Sequence, residues 1–595
     1  MIAFNLIHSV RKTFLTILIF ITVGFSFSVF SAGNSGKKAP EASPDFMTGL
    51  VEDNKTFKLG NMEVKASAQK IIIAVGGKTI FELPALMEAD VDESTDIDLF
   101  DPAFTIEKNR CVWTVKSSNW EKKEYSLSMD GTAVVLRIKV QGKGKLAKIR
   151  YFNNGKKPGQ QLEFEVLKYM LPVALGGPKA VPQWRNTMES ASIDLGYMTP
   201  PLLAFPFTGN FSGSFAIGLA PRTGNYNMDH FRCEFAMYQD GLFSTDFNGY
   251  TEVNGEYELP ALIFTLGNDE FDALTSYSEW FYQFGGCTKI DRSDIPQWWL
   301  GPFFCGWGEQ EYLSPENRYA GANQKHYSIM SERLDELYLK PTVIIIDDKW
   351  QGQFGELLPD PAKWPELRKF VDAEHAKGRR VLLWMKAWDN EGLRANESVK
   401  SLLTPYGADP TSPFYRQRIK ETMHKLLSSD PGCFNCDGFK IDFANCMPLG
   451  KNLRTHEPGV YGIELLKRLM SLIYESAKAV KPDCLINTSC SHPYFAEVTD
   501  QCRLHDYNGQ LRYIWEVREY RAKLFKIAFP GISIDTDDPS CSSKEQVKNY
   551  LQKAPELGVP VLYRLHGSRN FPLTEEDFKW VSKIWAEYSK NIKNH

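Results

Sequence analysis

The chain has 595 residues, a formal net charge of −4 and 43% apolar residues. That length exceeds one ordinary hydrophobic core, so two or three domains are expected. The composition is that of a globular protein with no basic stripe, and nothing in it points to nucleic acid as a partner.

Arg11 and Lys12 precede an uncharged run, Thr13 to Phe30, which is followed at once by "SAG". This order of charged, apolar and small residues reads as a signal peptide over residues 1–32. It implies a secreted or periplasmic protein with no stable membrane insertion after cleavage; an uncleaved anchor is the alternative. Residues 33–45, "AGNSGKKAPEASP", read as a flexible lead-in.

From residue 46 to 285 short alternating runs are broken by Gly, Asn and Asp, for example "KIIIAVGGKTIFEL", "TAVVLRIKV", "LAKIRYF" and "GSFAIGLA". Period-two patterning of this kind predicts a β-sandwich. The rhythm changes at residue 286. Eight short apolar runs follow: Leu300–Gly306, Thr342–Ile346, Val381–Met385, Gly438–Ile441, Cys484–Asn487, Gln501–Leu504, Ile532–Ile534 and Val559–Leu562. Helical patterns such as "SPFYRQRIKETMHKLLSS" and "YGIELLKRLMSLIYESAKAV" separate most of them. Eight β/α units in residues 286–595 predict a (β/α)8 TIM barrel. The rival, a doubly wound open sheet, lacks its glycine-rich loop after the first strand.

In such a barrel the chemistry sits at the carboxyl ends of the strands. In order, those ends offer Trp307; Asp347 and Asp348; Lys386, Trp388 and Asp389; Lys440 and Asp442; Ser489 and Cys490; Arg503 and Asp506; Asp535; Arg564 and His566. A ring of acids, cations and tryptophans describes a polar pocket with stacking walls, as a sugar requires. Glycoside cleavage needs two carboxyl groups, one ionised and one protonated. In "DGFKIDFAN" strand alternation puts Lys440 and Asp442 on one face, where the cation would hold Asp442 ionised. Asp506 is the partner by position. The same motif also fits an ion pair that merely lines a barrel.

At these residues the sequence resembles glycoside hydrolase clan D, most of all the family 36 α-galactosidases and raffinose-synthase-like proteins. "VIIIDDKWQ", "FVDAEHAKGRRVLLWMKAW", "DGFKIDFAN", "SCS" and "CRLHD" carry the resemblance, in the family's order. It implies a β-sandwich before the barrel and a retaining exo-acting α-galactosidase working by double displacement. Asp442 would be the nucleophile and Asp506 the acid/base. Asp347 and Asp348 would bind the sugar's O4 and O6 hydroxyls, Lys440 a ring hydroxyl, and Trp307, Lys386, Trp388, Cys490 and Arg503 would complete the substrate site. Lys349, His505, His492 and Pro493 depart from the family's pattern, and are expected on the recognition side. The chain's end at His595 leaves no room for the family's C-terminal β domain.

The partner expected is therefore an α-galactoside oligo- or polysaccharide. An α-glucosidase or α-xylosidase of the family 31 type, a transglycosylase and a non-catalytic sugar-binding protein are the alternatives. No cofactor is implied, and no metal site is read. "CFNC", Cys433 to Cys436, finds no second ligand pair for zinc and reads as a local disulfide or buried thiols.

Overall fold

The computed structural model describes residues 54–152, 171–172, 184–187, 190–193, 202–208, 211–234, 243–504, 514–537, 541–568 and 571–592, apart from positions 86, 101 and 403. The signal and lead-in segments, His505 and Asp506 lie outside the described residues. No helix among the described residues is long and apolar enough to cross a membrane.

The N-terminal half is antiparallel sheet, as its period-two patterning requires. A four-stranded meander (Lys55–Leu59, Met62–Ala66, Lys70–Val75, Lys78–Pro84) stands beside a twelve-stranded sheet. The alternation is strict in Met62–Ala66, where Met62, Val64 and Ala66 are buried and Glu63 and Lys65 exposed. Two strands of unusual length, Ala133–Tyr151 and Phe243–Gly267, form the spine of the larger sheet. "TAVVLRIKV" and "LAKIRYF" are thus one strand rather than two. The glycines between them suggest a break, but Gly142 pairs with Gly255 inside the ladder. Both adopt positive φ, +154° and +108°, so the strands continue through a local distortion.

The eight expected runs form one parallel sheet. Its strands, labelled β1–β8, are Phe303–Cys305, Val343–Ile346, Arg380–Lys386, Gly438–Asp442, Leu485–Thr488, Gln501–Arg503, Ser533–Asp535 and Val561–Leu562. They pair in chain order, and β8 returns to β1 through Phe303–Val561 and Phe304–Leu562. Between β7 and β8 the seam is a single bridge, Asp535–Val559, flanked by Val559 N–H donating to Ile534 O at 2.7 Å. The sheet is therefore a barrel closed almost completely. Six of the expected helices appear, at Leu367–Ala376, Pro413–Leu427, Gly462–Val480, Ile514–Ala528, Lys544–Leu557 and Glu575–Ile592. Pro413 stands at the first turn of its helix, capped by Ser412 Oγ accepting from Phe414 N and Tyr415 N. Between β5 and β6 only a 3-10 segment, Pro493–Val498, intervenes.

The barrel interior follows from parity. Phe303, Cys305, Val343, Ile345, Leu382, Leu485 and Val561 belong to one inner apolar cluster. Continuing each row two residues at a time toward the carboxyl end gives Asp347, Trp384, Lys386, Lys440, Asp442, Asn487, Arg503, Asp535 and Tyr563. The lower layers are oily and the upper layer is charged.

Helix Glu270–Gln283 joins the two halves. Its Tyr277 OH donates to Leu219 O at 2.7 Å on the sheet side, and its Ser278 Oγ donates to Ile527 O at 2.8 Å on the barrel side. Gly462, at φ +59°, lets a barrel helix start against Met228 O, which a Cβ would meet at 2.0 Å.

Gly438 at the start of β4 has φ +146°, and a Cβ there would lie 2.1 Å from Leu485 O and 2.7 Å from Leu382 Cδ2. Gly438→Ala is expected to lower stability by about 2–3 kcal/mol through overpacking between three strands. A urea midpoint equal to the wild type would show that the ladder has room that this geometry denies.

Candidate active site

Asp442 ends β4, with its side chain 17% exposed. Three donors converge on it. Trp384 Nε1 donates to Oδ2 at 3.2 Å, Arg503 Nη2 to Oδ1 at 3.1 Å, and Phe443 N to Oδ1 at 2.9 Å. Phe443 adopts the left-handed region, φ +58°, which turns its N–H back onto the carboxylate. Donors of this kind favour the ionised form.

The cation on Asp442 is therefore Arg503 and not Lys440, which corrects the expectation from the Lys-x-Asp spacing. Parity puts both side chains of β4 inside the barrel, but one layer apart. Lys440 Nζ turns to Asp347 Oδ2 at 2.9 Å and to Tyr563 OH at 3.1 Å. Burial opposes its charge, yet Asp347 together with Cys305 and Asp537 more than offsets this and holds Lys440 well above the ordinary lysine range. At 4% exposure, its ammonium is saturated by protein groups rather than free for a ring hydroxyl.

Arg503, 1% exposed, also donates to Asp537 Oδ2 at 2.9 Å. Tyr563 OH completes the link by donating to Asp537 Oδ1. One chain of contacts thus runs Asp347–Lys440–Tyr563–Asp537–Arg503–Asp442–Trp384. Below it, Asp535 Oδ2 accepts from Asn487 Nδ2 at 2.7 Å. Burial and the Asp537 carboxylate push Asp535 up to about 6.

Asp348 stands apart from this chain. Its Oδ1 is buried and has no hydrogen-bond partner among the described residues. Burial, and then the Asp347 charge, push its carboxyl up to about 7; Asp442 adds to this, while Lys386 and Lys349 oppose it. Lys386 pairs with Asp389 Oδ2 at 2.7 Å and lies 4.5 Å from the Phe354 ring centre. Lys349 pairs with Glu391 Oε2 at 2.8 Å over the same ring. This half-open rim of lysines, acids and Phe354 is where one departure from the family pattern, Lys349, falls.

The other expected site residues are dispersed. Trp307 is half-buried beneath the Arg318 guanidinium, 4.7 Å from its ring centre. Trp388 is 4% exposed and spends its indole N–H on Ala444 O at 3.0 Å, so it supports the β4 loop instead of offering a stacking face. Cys490 is fully buried, with Cys502 Sγ donating to its carbonyl, and no sugar reaches it. His492 is likewise not on the recognition side. It is fully buried among Tyr226, Tyr277 and Phe281, and burial pushes it down to about 3, a neutral imidazole. Its Nδ1 accepts from Tyr494 N at 3.2 Å, and Nε2 meets Tyr277 OH at 3.3 Å. The His-Pro pair therefore packs the barrel against helix Glu270–Gln283. Cys433 and Cys436 are free, as are all ten cysteines whose side chains are described.

Sequence reading missed Trp384, Asp537 and Tyr563. Trp384 lies two residues before Lys386, Asp537 two after Asp535, and Tyr563 immediately after the strand end Leu562, two on from the inward-facing Val561. The period-two signal that picked out Lys440 and Asp442 was present there too.

No family model and no curated protein matches the chain. Solved structures do match its fold. A GH36 α-galactosidase, AgaA from Geobacillus stearothermophilus in complex with raffinose, aligns over 91% of this chain and 86% of its own, at 11% identity and TM-score 0.53. A GH31 sulfoquinovosidase from E. rectale in complex with an aza-sugar inhibitor aligns over 88% and 82%, at 12% identity and TM-score 0.52. The chain has the fold of these clan D glycosidases.

The native Asp348 carboxyl keeps a proton up to about pH 7, whereas an unfolded aspartate loses it near its usual value of 3.8. Between those limits the native state binds more protons, so stability falls as pH rises through the window and stays lower above it. Asp348→Asn is expected to flatten this decline in denaturant titrations from pH 4 to 8. An identical slope in wild type and variant would place the titration elsewhere.

Proposed function

We propose that the chain is a retaining exo-acting α-glycosidase with Asp442 as nucleophile. The observation that carries this is the contrast between two carboxyl groups at one barrel mouth. Asp442 accepts three hydrogen bonds, one from a guanidinium, and such donors favour a carboxylate's ionised form. Asp348, with an unsatisfied oxygen and a raised pKa, holds a proton near neutrality. An ionised carboxylate in a buried pocket, oriented by fixed donors, is suited to attack an anomeric carbon and form a glycosyl-enzyme.

Arg503 and Trp384 fix which oxygen of Asp442 is engaged and hold the carboxylate in place during attack. The Asp347 and Asp348 pair is the headgroup reader. Asp347 is anchored by Lys440 and by Cys305 Sγ donating at 3.0 Å, while Asp348 Oδ1 awaits a donor that a sugar hydroxyl would supply. Galactose is the headgroup proposed, on the resemblance of the paired aspartates to the family 36 strand. A glucose- or xylose-type headgroup, as in an α-glucosidase or α-xylosidase of the family 31 type, is the second reading, and the fold is shared with a GH31 enzyme as well as with a GH36 one. The role of acid/base goes to Asp506. Asp535, fully buried and bonded to Asn487, does not reach the mouth. The leader residues support export, oligo- or polysaccharide is the substrate class proposed, and the sheets before the barrel are proposed to be a β-sandwich.

A panel of aryl α-glycosides with galactose, glucose, xylose, N-acetylgalactosamine and arabinose headgroups tests the reading directly. Asp442→Asn is expected to lower kcat by several orders of magnitude with unchanged circular dichroism. Near-normal turnover in that folded variant would remove the nucleophile assignment. Asp348→Ala is expected to penalise the preferred headgroup most, since a buried partner left unpaired costs about 1–3 kcal/mol.

Asp506→Ala carries the test of retention. The variant should still form the glycosyl-enzyme from a dinitrophenyl glycoside, because that leaving group needs no proton, but should hydrolyse it slowly. Added azide should restore turnover and yield the α-glycosyl azide. A β-azide, or intact binding with no rescue, would take the role away from Asp506.

A further inference from the structure

In the N-terminal half, Asp229, His230 and Asp246 present one carboxylate oxygen, one ring nitrogen and one carboxylate oxygen within 4.8 Å of one another. His230 is 6% exposed. Its Nδ1 lies against Asp229 Oδ1, and its Nε2 is 3.3 Å from Asp246 Oδ2. Neither Nε2 nor Asp229 Oδ1 has a hydrogen-bond partner among the described residues. An unpartnered, almost fully buried imidazole nitrogen facing a carboxylate is costly unless something fills the gap.

We propose that Asp229, His230 and Asp246 bind a divalent first-row transition-metal cation, Zn²⁺ as the test ion, at the junction of the N-terminal sheets and the barrel.

The spacing, the charge and the surrounding hydrogen bonds agree on this. Two ligands each about 2.0–2.2 Å from a metal are separated by about 3.3–3.6 Å along a tetrahedral edge. The Nε2 to Oδ2 separation of 3.3 Å falls in that interval and is not a formed hydrogen bond. A metal-ligating imidazole is neutral, so with it two carboxylates would offer two negative charges for a divalent cation to balance. A nitrogen donor selects a transition metal over Ca²⁺ or Mg²⁺. The second shell is also built. Asp229 Oδ2 accepts from Asn248 Nδ2 at 3.0 Å and from Tyr461 OH at 3.2 Å, which leaves Oδ1 turned inward. Ligating carboxylates are held by outer hydrogen bonds of this kind. Thr245 Oγ1 donates to His230 O at 2.6 Å and fixes the loop to strand Phe243–Gly267. Asp246 is the most open of the three, at 26% side-chain exposure, and leaves positions for water ligands.

The bridge has a mechanical consequence. Tyr461 stands at the start of the barrel helix Gly462–Val480, and Tyr250 stacks on it at 4.3 Å between ring centres. A cation on Asp229 would brace a loop of the sheets against that helix.

Full-length protein, stripped with EDTA and dialysed, is titrated with ZnCl₂ by calorimetry and melted at rising zinc. One ion per chain and a melting temperature that climbs with zinc are expected. Asp246→Asn and His230→Gln should each weaken binding at least about tenfold and abolish the zinc-dependent rise, with far-UV circular dichroism unchanged. Asp246→Asn, at the most open position, keeps the test valid where the buried substitution fails to fold. Anomalous scattering at the zinc edge should place the ion between the three side chains. Absence of stoichiometric binding, undiminished binding in both variants, or density at Cys433 and His424 instead would overturn the proposal. So would a melting temperature that follows pH and ignores zinc, because the trio would then be an imidazolium between two carboxylates.

Discussion

The contact chain from Asp347 through Lys440, Tyr563, Asp537 and Arg503 to Asp442 is the constraint on which the barrel mouth depends. Its charges alternate in sign, and all but Asp442 are nearly inaccessible. Burying ions is costly, and the attraction between them offsets that cost only when the geometry is good and every donor is used. Here the geometry is set by strands β2, β4, β6 and β8 and the turn after β7, so closing the barrel and pairing the charges are the same event. Removing one member would leave its neighbours buried and uncompensated, at about 3–5 kcal/mol for a broken buried pair. The chain therefore ties strands that are not adjacent in the sheet, and in doing so fixes the direction of the Asp442 carboxylate.

That arrangement explains why the mouth is polar while the interior below it is not. A parallel strand buried on both faces is apolar by default. Rows β1, β2 and β3 keep to this default through their lower layers, whereas β4 turns charged a layer earlier, at Lys440, and β6 and β7 carry the buried Gln501 and Ser533 beneath Arg503 and Asp535. Fixed donors at that height are already in place without a ligand, so the carboxylate they hold needs no reorganisation to be oriented. Phe443 contributes through its backbone: its left-handed conformation aims an N–H at Asp442 while its ring stands at right angles to Trp384.

Much of this was legible in the sequence, for reasons tied to particular residues. The barrel strands were found because each is a short apolar run bounded by helical patterns, and the eight expected runs lie on β1–β8. Asp347, Asp348, Lys386, Lys440, Asp442 and Arg503 were found because they end those runs, and the structure gathers them at one mouth. What stayed hidden was partnership. Spacing says that Lys440 and Asp442 share a face, but not that each reaches across the barrel to a different strand. Tryptophan composition says nothing of exposure, so Trp388 read as a wall and Trp384 was passed over. His492 illustrates the same limit, because only the fold reveals that helix Glu270–Gln283 packs on that turn. In the sheets, Gly142 and Gly144 looked like punctuation, whereas pairing of Gly142 with Gly255 makes them part of a continuous ladder.

Asp348 and Asp442 also show how one pocket keeps two identical carboxyl groups in different states. Both feel low-dielectric surroundings, and each disfavours ionisation of the other. Asp442 is relieved by a guanidinium, an indole N–H and a backbone N–H. Asp348 has lysines nearby, but those cations are committed to Asp389 and Glu391, and one of its own oxygens has no donor. The proton therefore settles on Asp348. Environments that push paired titratable groups apart are how acid and base roles are divided in one site. A hydroxyl donated to Asp348 Oδ1 would supply the missing hydrogen bond and pull its pKa down, at the expense of the proton it holds. Binding at the mouth and the charge state of the mouth are therefore linked, and a ligand able to fill that vacancy reads the pocket in a way that one lacking the hydroxyl does not.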